Sequence, residues 1–121
     1  MIEHVWPRFR VLHYLLSESH GKTVAHCLDL DLVATADATR EAVRRLDVLV
    51  KGHVEFALWN GNFLALMTPA PLQYWKYFAE GERINLETPA IQFRMPDVVP
   101  LEEEGGELAI LAAQQLQYAV Q

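Results

Sequence analysis

An α+β fold, a small sheet of three or four strands packed on one long helix, is the architecture this sequence predicts. Three observations carry that expectation. Apolar residues recur at helical spacing over about five turns in the middle of the chain. Strand-like runs precede that helix, one pair of them joined by a glycine-containing turn. Finally, 121 residues suffice for one domain with a real core and hardly for two.

The helix is the longest pattern in the chain. Val43, Leu46, Val50 and Val54, joined by Ala42, Leu49 and Ala57, form its apolar stripe, and Arg40, Glu41, Arg44, Arg45, Asp47, Lys51 and Glu55 lie elsewhere on it. Asp37 or Thr39 is expected to cap its start, since a short side-chain oxygen there accepts from first-turn amides. Gly52 weakens the interior by about 1 kcal/mol relative to Ala, and Asn60-Gly61-Asn62 ends it.

Ahead of the helix, Phe9 to Ser17 reads as a strand, Glu18 to Lys22 as a turn, Thr23 to about Leu28 as a second strand, and Leu32 to Ala36 as a third. With His20-Gly21 as central turn residues, Ser17 falls opposite Val24, Leu15 opposite His26 and Tyr14 opposite Cys27. One face then carries Val11, His13, Leu15, Val24, His26 and Leu28, the other Leu12, Tyr14, Leu16, Ala25 and Cys27. Both faces are apolar, more than one helix on one side requires.

Beyond the helix, Phe63 to Met67 is a candidate returning strand that would complete a β-β-β-α-β core over residues 1–67. Residues 68–121 read as an extension packing on the same domain. Pro71 opens and Gly81 closes a short second helix whose Tyr74, Trp75, Tyr77 and Phe78 lie within five positions. Ile84 to Leu86 and Ile91 to Met95 are short strand candidates. Pro96, Pro100 and Glu102 to Gly106 make a linker, and Glu107 to Gln121 favours helix by propensity.

Composition narrows the function. The formal net charge of −6 argues against general nucleic-acid binding, which needs clustered positive charge, and suits a basic partner. One cysteine excludes an internal disulfide. No run reaches signal-peptide or membrane-spanning length, so the expectation is a cytoplasmic protein without membrane contact.

Residues Thr23 to Leu30 and Ala36 to Ala42 carry a resemblance. They match at Ala25, Cys27, Asp37, Glu41 and Ala42 the strand-end and helix-start motifs of the HicB-like antitoxin family, whose fold is a shortened ribonuclease H-like sheet. The family's proline falls on Leu28, its glycine on Ala36 and its capping threonine on Ala38. The resemblance spans roughly Arg8 to Met67. It implies the β-β-β-α-β order and a non-catalytic protein that occludes a small basic toxin. Many relatives add a DNA-binding tail, but residues 107–121 contain no Lys or Arg, so no direct nucleic-acid binding is expected.

Candidate chemistry is sparse. Asp29 and Asp31 read as a solvated turn rather than the converging carboxylates of a two-metal site. His13 and His26 share a strand face as diagonal neighbours, while Cys27 points to the other, short of a zinc set. His53 sits on the buried side of the helix. Cys27 reads as small-residue packing, since nothing nearby in sequence supplies a base. Arg40, Arg44, Arg45 and Lys51 alternate with acids as a solvated helix surface does. No catalytic residue, metal or cofactor is assigned.

The expected interface is instead the apolar face Val11, His13, Leu15, Val24, His26 and Leu28, with Tyr74 and Trp75 as further contacts. A patch of that kind needs a cover, and a homo-oligomer, a dimer or tetramer, is the expected one. Two other readings stand beside the antitoxin: a small nucleic-acid-processing enzyme on a ribonuclease H-like remnant, and an orphan oligomeric domain without a toxin.

Overall fold

A tight hairpin starts the sheet. In the computed structural model, which describes residues 11–84, 86, 88, 91–94 and 109–118, β1 (Val11–Ser19) and β2 (Lys22–Cys27) pair antiparallel across His20 and Gly21. Both turn residues have positive φ, 53° and 80°, the paired left-handed conformation whose twist matches two right-twisted strands. Ser17 lies opposite Val24, Leu15 opposite His26 and Tyr14 opposite Cys27, the register expected of a two-residue turn. Strand β3 (Leu32–Ala36) adds antiparallel to β2.

Helix α1 (Thr39–Trp59) crosses one face of these strands and buries Ala42, Val43, Leu46, Val50, Val54, Ala57 and Leu58. They meet Leu12, Tyr14, Leu16, Ala25 and Cys27 in the main core, the inward set that strand alternation assigns. Its end is closed by backbone amides and by the Asn60 side-chain amide, whose Nδ2 donates to the Phe56 carbonyl at 2.8 Å. The Asn62 amide donates to the Ala57 carbonyl at 2.9 Å and the Gly61 amide to Leu58 at 3.3 Å. Gly61 has φ of 66°, the left-handed residue this closure needs.

The start of α1 differs from expectation. The capping position is Ala38, and no side chain caps it. Asp37 is held instead by the Lys22 ammonium at 2.6 Å, and Thr39 Oγ1 lies 3.3 Å from Thr23 Oγ1. The hydrogen bond and charge of Lys22 hold the Asp37 carboxyl below its ordinary range. Each oxygen that could have capped the helix ties its first turn to β2 instead.

Two further elements depart from the sequence reading. Phe63–Leu66 is a 3₁₀ turn, not a returning strand. The amides of Ala65 and Met67 donate three residues back, and His53 Nε2 meets the Ala65 carbonyl at 3.1 Å, so the backbone is satisfied locally and Leu66 drops into the core. The C-terminal stretch expected to be helical contains strand β6 (Ala109–Tyr118). It pairs parallel to β1, Val11 with Ala113 through Leu16 with Tyr118. An isolated helix of that length is marginal in water, whereas the free edge of β1 offers a full row of backbone partners.

Leu72–Glu80 forms helix α2, as Pro71 and Gly81 predict. Strands β4 (Glu82–Arg83) and β5 (Ile91–Arg94) both lie antiparallel to β6. Among the described residues the sheet order is β3-β2-β1-β6-β4, with β5 also on β6. Ile91 and Phe93 of β5 complete the core under α1. The sheet is thus wider than three or four strands, because the C-terminal half is built into it. Residues 1–10, residue 85 of the 84–86 strand candidate, Met95 and the 96–106 linker lie outside the described residues. Among the described residues no helix is long and apolar enough to cross a membrane.

Candidate functional site

The outer face of the sheet, away from α1, is where polar chemistry collects. Strand β2 ends at Cys27, and a tight turn brings Asp29 and Asp31 back beside the strands. Asp31 closes that turn with φ of 57°, a conformation Asp tolerates better than most side chains. The Leu28 amide donates to the His13 carbonyl at 2.9 Å, extending the β1–β2 ladder by one step.

This geometry produces two histidine–carboxylate pairs. Asp29 accepts the His13 backbone amide at 2.6 Å on Oδ1, and the His13 ring meets Oδ2 through Nδ1 at 3.0 Å. Asp31 Oδ1 lies 2.8 Å from His26 Nε2. An ionised carboxylate only accepts, so the ring nitrogen facing it is the donor of the pair. His26 is buried and His13 half-buried.

Helix α2 roofs this face. The Ala70 amide donates to the Leu28 carbonyl at 2.8 Å, and Trp75 Nε1 donates to the Ala70 carbonyl at 3.2 Å. Leu15, Leu28 and Ala70 form a second buried cluster, with Tyr74, Trp75 and Phe78 packed on it. The His13 ring sits 5.3 Å from both Trp75 and Phe78, and His26 meets Tyr74 edge-on at 4.9 Å. Such tilted contacts add to the apolar burial.

The residues expected to form an interface are therefore brought together, but on one another. Leu15 and Leu28 are buried beneath α2, His13 contacts Trp75 and His26 contacts Tyr74, Val24 is half-buried and Val11 exposed. The expectation that a second copy covers an open apolar face loses its premise. The aromatic residues of α2 supply the anchors that close this face within the chain.

Asp29 and Asp31 do lie on a turn, with Asp31 exposed, as the sequence reading expects; what that reading misses is that each is also the partner of a histidine. The signal was present in His26 and Asp31, five positions apart across a turn in the predicted register. It became readable only with the turn's backbone conformation. On the other sheet face, the Tyr14 hydroxyl donates to Asp47 Oδ1 at 2.7 Å. Burial, then the Asp47 charge, raises the Tyr14 pKa well above its ordinary value. Burial, with the Asp29 charge, pushes the Cys27 thiol up to about 12. A thiol so held is protonated near neutrality and poorly suited to nucleophilic attack.

The arginine strip of α1 is tied to acids, as a solvated face is. Arg44 and Arg45 both bond Glu41, and Lys51 meets Glu55 at 2.7 Å. Among the described residues no group of three or more His, Cys, Asp or Glu side chains converges on a common point that could hold a metal. No family model, no curated protein and no solved structure matches the chain.

Proposed function

We propose that this chain is a non-catalytic, HicB-like interaction protein that binds a small basic protein partner. The observation that carries the reading is the arrangement of strands and helix. Three antiparallel strands lead into α1, and a later strand returns parallel to β1. The β-β-β-α part of the order implied by the motif around Asp37 supports the reading, while the strand parallel to β1 is reached only after a 3₁₀ turn, α2, β4 and β5 rather than directly from α1. The net charge of −6 supports a basic partner, since complementary charge raises encounter rates and disfavours wrong partners. A reading frame for a small basic protein is predicted beside this chain's gene, and the experiment is co-expression with that protein. Co-purification, with relief of any growth arrest that protein causes, is the predicted result. Separate elution and unrelieved arrest would end the reading.

A second reading has one observation in its favour. His13 held by Asp29 is the arrangement of an oriented general base, which suits a small nucleic-acid-processing enzyme. Its test is incubation of pure protein with labelled RNA and duplex DNA in Mg²⁺ and Mn²⁺. The interaction reading predicts intact substrate, whereas cleavage lost in Asp29→Asn establishes the enzyme.

A further inference from the structure

The segment 67–81, which carries α2, is tied down at both ends and rests lightly between them. Before it, Leu66 is seated in the main core, and after it β4 pairs with β6 at Glu82 and Arg83. Among the described residues, none from 67 to 81 belongs to that core, which lies under α1 on the other side of the sheet. Helix α2 has no fully buried residue, and its Leu72 and Tyr77 are 81% and 48% exposed. The Trp75 indole donates to the Ala70 carbonyl, a bond that travels with the segment rather than holding it to the strands. Beneath it, the His26 side chain keeps 10% of its surface exposed and that of His13 keeps 30%.

We propose that residues 67–81 are a lid, which lifts from the outer sheet face as a unit while both of its ends stay anchored and the main core stays folded. The separation of the two clusters makes this possible. Lifting α2 uncovers Leu15 and Leu28 but leaves Leu12, Tyr14 and Leu16 packed with Leu46, Val50 and Val54. A local opening costs less the fewer buried contacts it breaks. Those broken here include the rings on His13 and His26 and the hydrogen bond from the Ala70 amide to the Leu28 carbonyl. The histidines need not move. His13 is held to Asp29 and His26 to Asp31, and both carboxylates belong to the turn after β2 rather than to the lid. Opening therefore presents two imidazoles already oriented by carboxylates, beside an apolar floor of Leu15 and Leu28. Whatever binds or reacts at this face meets the opening step first. The lid rests on neither functional reading, since access to the histidines is measured without partner or substrate.

Acylation of the histidines by diethyl pyrocarbonate, followed residue by residue by mass spectrometry, is the measurement. His20 in the exposed hairpin turn sets the unhindered rate, and His53 on α1, facing the Ala65 carbonyl, reports opening of the main core. In wild type His26 should react at least about tenfold slower than His20, at a rate that stays flat in urea below the unfolding transition, because a local opening exposes little surface. A His26 rate that climbs with urea in step with His53 means that the face opens only by global unfolding, and overturns the proposal. Trp75→Ala, with its fold verified by circular dichroism, separates a lid from loose local packing. Trp75 contacts His13, whereas the α2 ring on His26 is Tyr74. A helix that lifts as a unit should therefore speed both histidines about tenfold in this variant, with His53 unchanged. Acceleration of His13 alone, or of neither, leaves α2 seated and overturns the proposal as well.

Discussion

Tyr14 and Cys27 lie side by side in the register of β1 and β2, both facing α1, and both hold protons tighter than their ordinary values of 10.0 and 9.0. A pKa raised in the folded state means the native protein binds more protons than the unfolded chain above the unfolded value. The associated stability is therefore whole below pH 9 and drains as pH rises from there. Chemical denaturation at steps from pH 7 to 11 should show a flat region followed by a decline. Tyr14→Phe removes the hydrogen bond to Asp47 and should cost about 1–2 kcal/mol at pH 7. The same variant should lose stability less steeply in alkali, keeping only the Cys27 contribution. An unchanged alkaline slope in Tyr14→Phe would show that the buried phenol is not the proton-holding group.

At the scale of elements, what could be read in the sequence was what local chemistry decides. Gly21 needs its positive φ whatever lies around it, and Asn60-Gly61-Asn62 closes α1 with its own backbone and the Asn60 side chain. The apolar spacing of Val43, Leu46, Val50 and Val54 faces the core by periodicity alone. What could not be read was decided at a distance. Residues 109–118 are good helix formers, and only the unpaired edge of β1 makes them a strand. Asp37 and Thr39 are good caps, and only Lys22 and Thr23 on β2 draw them away. The pairing of His13 with Asp29 depends on a turn whose geometry no residue pattern prescribes.

Helix α2 illustrates the consequence for dynamics. It has no fully buried residue, so its hold on the sheet rests on the half-buried Tyr74, Trp75 and Phe78 and the two carbonyl hydrogen bonds at Leu28 and Ala70. Amide exchange should show α2 opening at lower free energy than the Leu46 to Val54 segment of α1. Trp75→Ala should cost about 2 kcal/mol, less than for a fully buried tryptophan, and should deprotect α2 while leaving α1 unchanged. Equal protection of both helices in the variant would mean α2 is held by something other than its aromatic face.

The whole molecule presents two sides with different roles. One is the outer sheet face, closed within the chain by α2 over the two histidine–carboxylate pairs. The other is α1, which leaves Val48, Phe56 and Trp59 exposed. A basic partner is left to read the acidic charge, and that is the central claim. Calorimetric titration of the purified chain with the small basic protein that the proposal predicts beside its gene, across increasing salt, tests it most directly. The account predicts saturable binding whose affinity falls steadily with ionic strength, because exposed charges are screened over shorter distances as salt rises. Absence of heat at low salt, or an affinity that salt leaves unchanged, would contradict it.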